Sequence, residues 1–207
     1  MLPAREALAR LMEGNRRFVA TVSTPDDGTN GLCRPVLTPT QDPVAVIFGC
    51  SDARVPAEII FDQGLGDLFV IRVAGNVMAP SLVGSVEFAA AKFGTRLVVV
   101  MGHTECGAIA ATLDEMRQPT GNQSRNLRAI VDRIRPSIEP LFHTELARDP
   151  GALYARAVRA NIRASANHLR HGSQLLEQLI QEDGLLVVGA EYSLATGKVE
   201  FFDGVDG

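Results

Sequence analysis

At 207 residues, 46% hydrophobic and 21% charged, the chain is predicted to fold as one globular domain with a sizeable core. A net charge of -4, with scattered basic residues that are nearly all Arg, gives no basis for nucleic acid or an anionic membrane as partner. The apolar runs are too short to span a membrane, the start lacks signal-peptide features, and an odd number of cysteines does not read as a disulfide framework, so a reducing, cytoplasmic setting is expected.

Leu8, Leu11, Met12 and Val19 recur near multiples of 3.6 and predict an amphipathic helix from about Pro3 to Ala20. Thr21 to Pro43 is rich in Thr, Pro, Gly and Asp and holds Cys33, read as a bystander thiol. A structureless loop of this length is uncommon in a compact domain, so residues 1–43 are either an arm packed on a partner subunit or a cover over their own domain. Residues 44–207 form the main α/β unit.

Val44 to Phe48 is an apolar strand ended by Gly49, and Pro56 to Asp62 a short helix. Phe69 to Val73 is the second strand, followed by a turn at Gly75-Asn76 and a helix from Ser81 to Phe93 stopped by Gly94. The third strand spans Arg96 to Met101. A helix follows Cys106 to about Arg117, and a break at 118–122 precedes a helix marked by Leu127, Ile130, Val131, Ile134 and Ile138. A longer helix starts around Pro150 and carries apolar residues to Leu169 until His171-Gly172 interrupts it, and Ser173 caps a short one ending at Asp183-Gly184. Leu185 to Gly189 is a buried strand, and the alternating Lys198 to Phe202 suits an antiparallel edge. The expected architecture is α/β: a mostly parallel sheet of four strands plus an antiparallel edge strand, flanked by helices, with an N-terminal helical arm. Gly64-Leu65-Gly66 precedes a strand rather than a helix and is not a dinucleotide loop.

Two strands end alike, in a glycine followed by soft metal-type ligands. Gly49 leads into Cys50, and Gly102 into His103 and Cys106. If the strands are parallel neighbours, the three side chains converge at the carboxyl edge of the sheet, where ligands of open α/β folds collect. A Cys2His set with no fourth protein ligand matches catalytic zinc, which keeps one position for water. Asp52 and Arg54 follow the first ligand at once. A carboxylate there would tend to ligate the ion unless a planar guanidinium held both its oxygens, leaving Asp52 free to accept a hydrogen bond from water.

Cys50-Ser51-Asp52-Ala53-Arg54 with His103-Thr104-Glu105-Cys106-Gly107 resembles the β-class carbonic anhydrases, and the likeness continues through Phe69 to Asn76, Gly84 to Phe88 and Gly189 to Tyr192. The resemblance implies zinc-dependent reversible hydration of carbon dioxide to bicarbonate and a proton. Zinc would be held by Cys50, His103 and Cys106, Asp52 would orient the attacking water, and Arg54 would anchor Asp52. It also implies a homodimer or tetramer, with Gln41 reaching the site across a dimer interface, and a small pocket lined by Phe69, Ala74 and Gly107. In part of the family the Asp leaves its Arg and ligates zinc, closing the site. Many members carry an aromatic hydroxyl where this chain has Phe88. The branch with an inhibitory bicarbonate site has Trp where this chain has Ile47; Arg72 and Tyr192 remain candidates for such a site. Two other readings share these residues: a hydrolase of carbonyl sulfide or carbon disulfide, and a zinc- or bicarbonate-binding module without turnover. A redox thiol pair is disfavoured because Cys50 and Cys106 are not in a Cys-x-x-Cys motif. His143, His168 and His171 are read as ordinary surface histidines rather than proton shuttles.

Overall fold

A computed structural model of the chain describes residues 2–22, 41–119, 121 and 124–205. Cys33 and most of the segment between the first helix and the first strand lie outside them. The strands β1 (Ala45–Gly49), β2 (Leu68–Arg72), β3 (Leu97–His103), β4 (Leu186–Tyr192) and β5 (Val199–Asp203) form one sheet in the order β2-β1-β3-β4-β5. The first four are mutually parallel, and β5 runs antiparallel on β4 as the alternating pattern of Lys198 to Phe202 predicts.

Every residue of β1 and β3 is buried, because helices cover both faces. Successive strand side chains point to opposite faces, which divides the core in two. Val46, Phe48, Val98 and Val100 face a layer built from α3 (Pro80–Lys92), α4 (Gly107–Arg117), α5 (Arg125–Ile138), α6 (Pro150–His171) and α7 (Gln174–Glu182). Ala45, Ile47, Val99 and Met101 face α1 (Ala4–Val22) and the short α2 (Ala57–Ile60).

Within one chain, α1 packs on the sheet. Ala7 and Leu11 are fully buried there. Gly14 allows the approach: a Cβ at that position would overlap the carbonyl oxygen of Phe61, 1.8 Å away. The buried Asn15 then bonds three backbone groups, donating to the carbonyls of Ile60 and Gly197 and accepting from the N–H of Val199. Arg10 and Arg17 add ion pairs to Asp67 and Asp62 at the rim.

Two strands run further than the apolar pattern indicates. β3 continues to His103 and β4 to Tyr192, because the pairs Gly102↔Glu191 and His103↔Tyr192 extend the ladder. Backbone pairing with a neighbour carries the strands through residues whose side chains give no strand signal. The extension makes His103 the last residue of a rigid strand.

Candidate metal centre

β1 and β3 are adjacent and parallel, with Gly49 opposite Met101. Cys50 therefore emerges beside the end of β3. After His103 a two-residue turn, with Glu105 at φ 56°, brings Cys106 back to the start of α4. One ligand atom each from Cys50, His103 and Cys106 then lies within 4.8 Å of the others. All three residues are buried, with 5%, 0% and 2% of their surfaces exposed.

The hydrogen bonding fits an ion at this place. His103 Nδ1 lies 2.8 Å from the Thr104 carbonyl oxygen, which only accepts, so Nδ1 carries the proton and Nε2 presents its lone pair. That Nε2 is buried with no hydrogen-bond partner among the described residues. An orphaned buried nitrogen of this kind is costly unless a ligand or ion satisfies it. Cys50 Sγ accepts a hydrogen bond from the Gly75 N–H at 3.4 Å. Contact with Cys106 drives the Cys50 thiol well down, and the same contact, with burial, pushes Cys106 up. Metal binding needs such thiols as thiolates, and an ion would take the place of their protons.

Asp52 stands beside this set without joining it. Arg54 Nε donates to Oδ1 at 2.9 Å and Nη2 to Oδ2 at 2.7 Å, a two-pronged pairing completed by the Arg54 backbone N–H on Oδ1. The Arg54 hydrogen bonds hold the Asp52 carboxyl well below the usual carboxylate range. Asp52 Oδ2 is 3.9 Å from His103 Nε2, close enough to reach a group in the open position. Residues two apart meet here because the chain turns, with the Val55 N–H bonded to the Asp52 carbonyl.

Arg72, at the end of β2, donates to the carbonyl oxygens of Cys50 and Asp52. Its guanidinium is thus engaged with the loop that carries the ligand, while Tyr192 is buried among the apolar residues of the α1 side. From the other side, Tyr154 of α6 donates its hydroxyl to the Cys106 carbonyl at 3.0 Å, and Asn161 donates to Gly75. Sequence reasoning did not single out Tyr154 or Asn161; the available signal was a polar Asn161 and Ser165, four apart, on an otherwise apolar stripe.

The residues expected at the substrate pocket divide into two groups. Ala74 begins the turn after β2 that holds Gly75, and Gly107 opens α4 with space around it. Its N–H is one of the first-turn donors that no helical carbonyl satisfies. Phe69 lies toward the opposite end of the sheet, and Gln41 precedes the start of β1. Phe69 pairs with Val46, four residues before Cys50, which at roughly 3.3 Å per residue is about 13 Å along the strand. It packs on Phe88 and Phe93, with Phe88 52% exposed, and Gln41 is exposed. His143, His168 and His171 are exposed too, and His168 is 14 residues past Tyr154 on α6, about 21 Å along the helix.

A family model described as carbonic anhydrase matches residues 45–199. The chain is 40% identical over 195 residues to a carbonic anhydrase of Mycolicibacterium smegmatis, covering 92% of this chain and 89% of that protein. It is 37% identical over 194 residues to carbonic anhydrase 2 of Mycobacterium tuberculosis, covering 93% and 90%. Among solved structures, a tetrameric β-carbonic anhydrase of Sordaria macrospora aligns with a TM-score of 0.70 at 24% identity, over 79% of this chain and 82% of that one. The β-carbonic anhydrase CafA of Aspergillus fumigatus gives the same TM-score and identity over 98% and 88%.

Proposed function

The chain belongs to the β-class carbonic anhydrases, and from that premise we propose that it hydrates carbon dioxide reversibly to bicarbonate and a proton at a zinc ion held by Cys50, His103 and Cys106. Zinc so held supplies Lewis acidity, lowering the pKa of a water toward neutrality. Asp52 accepts a hydrogen bond from the attacking water and so turns its lone pair toward the substrate carbon. Arg54 keeps the carboxylate off the ligand set and ionised. The Gly107 N–H faces the growing negative charge on the substrate oxygen, and Ala74 bounds the apolar space beside it.

Gln41 and Phe69 complete the pocket from a second copy of the chain. Supporting this, Phe69 is remote from the ligands of its own chain, Gln41 is exposed before the start of β1, and the Phe69–Phe88 pair beside edge strand β2 is partly exposed. The working unit is therefore a homodimer or an assembly of dimers. A reducing compartment, as in cytoplasm, suits the two ligand thiolates. No helix among the described residues is long and apolar enough to cross a membrane.

The observation that carries the reading is the Asp52–Arg54 pairing beside a three-ligand set. It fits a centre with a position for water rather than a closed structural one. Stopped-flow hydration of carbon dioxide, with metal content measured on the same sample, tests it. Activity proportional to zinc is expected; zinc-replete protein without hydration activity would overturn it.

A further inference from the structure

Helix α6 contributes no metal ligand, yet three of its side chains reach the ligand loops. Tyr154 bonds the Cys106 carbonyl, Asn161 Nδ2 donates to Gly75 O at 2.8 Å, and Ser165 Oγ donates to Asn76 O at 2.9 Å. Asn161 and Ser165 are 2% and 5% exposed, on a stripe otherwise made of Val158, Ile162, Ala166 and Leu169. A buried amide costs folding energy unless it is bonded, and the Gly75 carbonyl meets that need.

The carbonyl that Asn161 holds belongs to the same residue whose N–H donates to Cys50 Sγ. Gly75 has φ 69° and Asn76 has φ 43°, so the turn places two successive residues in the left-handed region. Glycine has no Cβ to restrict its dihedrals, so the angle between the peptide that bonds the sulfur and the next one is set by hydrogen bonds; within the turn, the Asn76 N–H donates to the Val73 carbonyl at 3.0 Å. Ala108 and Ile134 pack against Gly75, each 2.9 Å from where a Cβ would lie. Asn161 holds the carbonyl end of that same Gly75–Asn76 peptide from outside the turn.

We propose that Asn161 is a positioning residue for the metal centre: by holding the Gly75 carbonyl it keeps the Gly75 N–H aimed at the Cys50 sulfur and so sets how that sulfur donates to a bound metal ion. The inference rests on the reading of Cys50 as a metal ligand. A thiolate that accepts a hydrogen bond parts less readily with electron density, and outer partners of a ligand commonly govern affinity by about tenfold or more.

The test replaces zinc by cobalt and reads the thiolate-to-metal charge-transfer band together with cobalt affinity by chelator competition. Asn161→Ala should move the band to longer wavelength, because the sulfur released from its hydrogen bond is the stronger donor, and still weaken binding about tenfold, because the Cys50 loop is no longer pre-set for the ion. Asn161→Leu, similar in volume and apolar, carries the same expectation where the smaller residue leaves too large a cavity to fold. Ser165→Ala is the comparison, since it removes an equally buried bond to the adjacent carbonyl without touching Gly75; it should lower thermal stability and leave band and affinity unchanged. Asn161 variants with the wild-type band and affinity, or a Ser165→Ala protein shifted as far, would overturn the inference while leaving Cys50 as a ligand. Wild-type protein with no thiolate charge transfer would overturn both.

Discussion

At the carboxyl end of the sheet, Cys50, Asp52, Arg54, His103 and Cys106 come together inside one chain, and loops braced by Arg72 and α6 hold them. Around edge strand β2 the arrangement is the reverse: Phe69 is only partly buried, between the core and the rings of Phe88 and Phe93, and Phe88 and Gln41 are exposed. The contrast separates two requirements of one reaction. Holding a metal ion demands ligand atoms fixed to a few tenths of an ångström, which strand ends within a single core supply. Enclosing a small apolar substrate demands only surfaces that meet, and a second copy can bring one of them.

The largest effect is expected where the one-chain half is cut. Cys106→Ser should lose most of its zinc and, with it, hydration activity, whereas Cys33→Ser should keep a full complement; metal analysis of the two purified proteins decides this. Equal loss in both would remove the basis for the Cys2His assignment.

The two-copy half is probed by complementation. Gln41→Ala alone should lower kcat/KM by roughly a hundredfold, as loss of a positioned donor does in other sites. Co-expressing it with the Cys106→Ser chain makes mixed dimers in which one site carries both changes and the other neither. Random pairing should then restore about a quarter of wild-type activity, given a two-fold dimer with one chain supplying ligands and the other Gln41. Mixed protein no more active than its parents would show that Gln41 acts within its own chain.

Arg54→Lys sharpens the carboxyl end. A single ammonium cannot engage both carboxylate oxygens through a planar fork. Asp52 is then freer to move onto the metal, and activity should fall about tenfold to a hundredfold across the whole pH range. A variant with wild-type rates would mean that the fork does not keep the centre open.

The smallest effect concerns pH and stability. The Arg54 hydrogen bonds depress the Asp52 carboxyl, so its folded pKa lies below its unfolded value near 3.9. A depressed carboxyl contributes stability that is fully present above the unfolded pKa and is lost as pH falls through the folded one. Acid unfolding of metal-free protein should therefore be shallower below about pH 4 in Asp52→Asn than in wild type. The exposed Arg54 side chain keeps the difference small. The same sign means that any fall in activity near neutral pH has another origin, because Asp52 stays ionised there.

Much of the carboxyl end was legible in the sequence because ligand chemistry is local. Two apolar runs ending in glycine, each followed by Cys or His, announce both the strands and what they deliver, and Asp52 and Arg54 sit two residues from the first ligand. The four parallel strands, the antiparallel β5 and the order of helices follow from periodicity in the same way. The exact ends of β3 and β4 were not legible, because Gly102, Glu191 and Tyr192 are held in strands by pairing with one another rather than by their side chains.

The sequence by itself determined the donor atoms, their order and the fold class, since residue type and spacing along a strand specify these directly. Only the tertiary structure decided that α1 packs on the sheet, that Asn161 and Tyr154 reach loops far from them in the chain, and that Phe69 is remote from Cys50. These depend on which surfaces meet when layers pack, and contacts between residues many tens apart leave no local pattern to read.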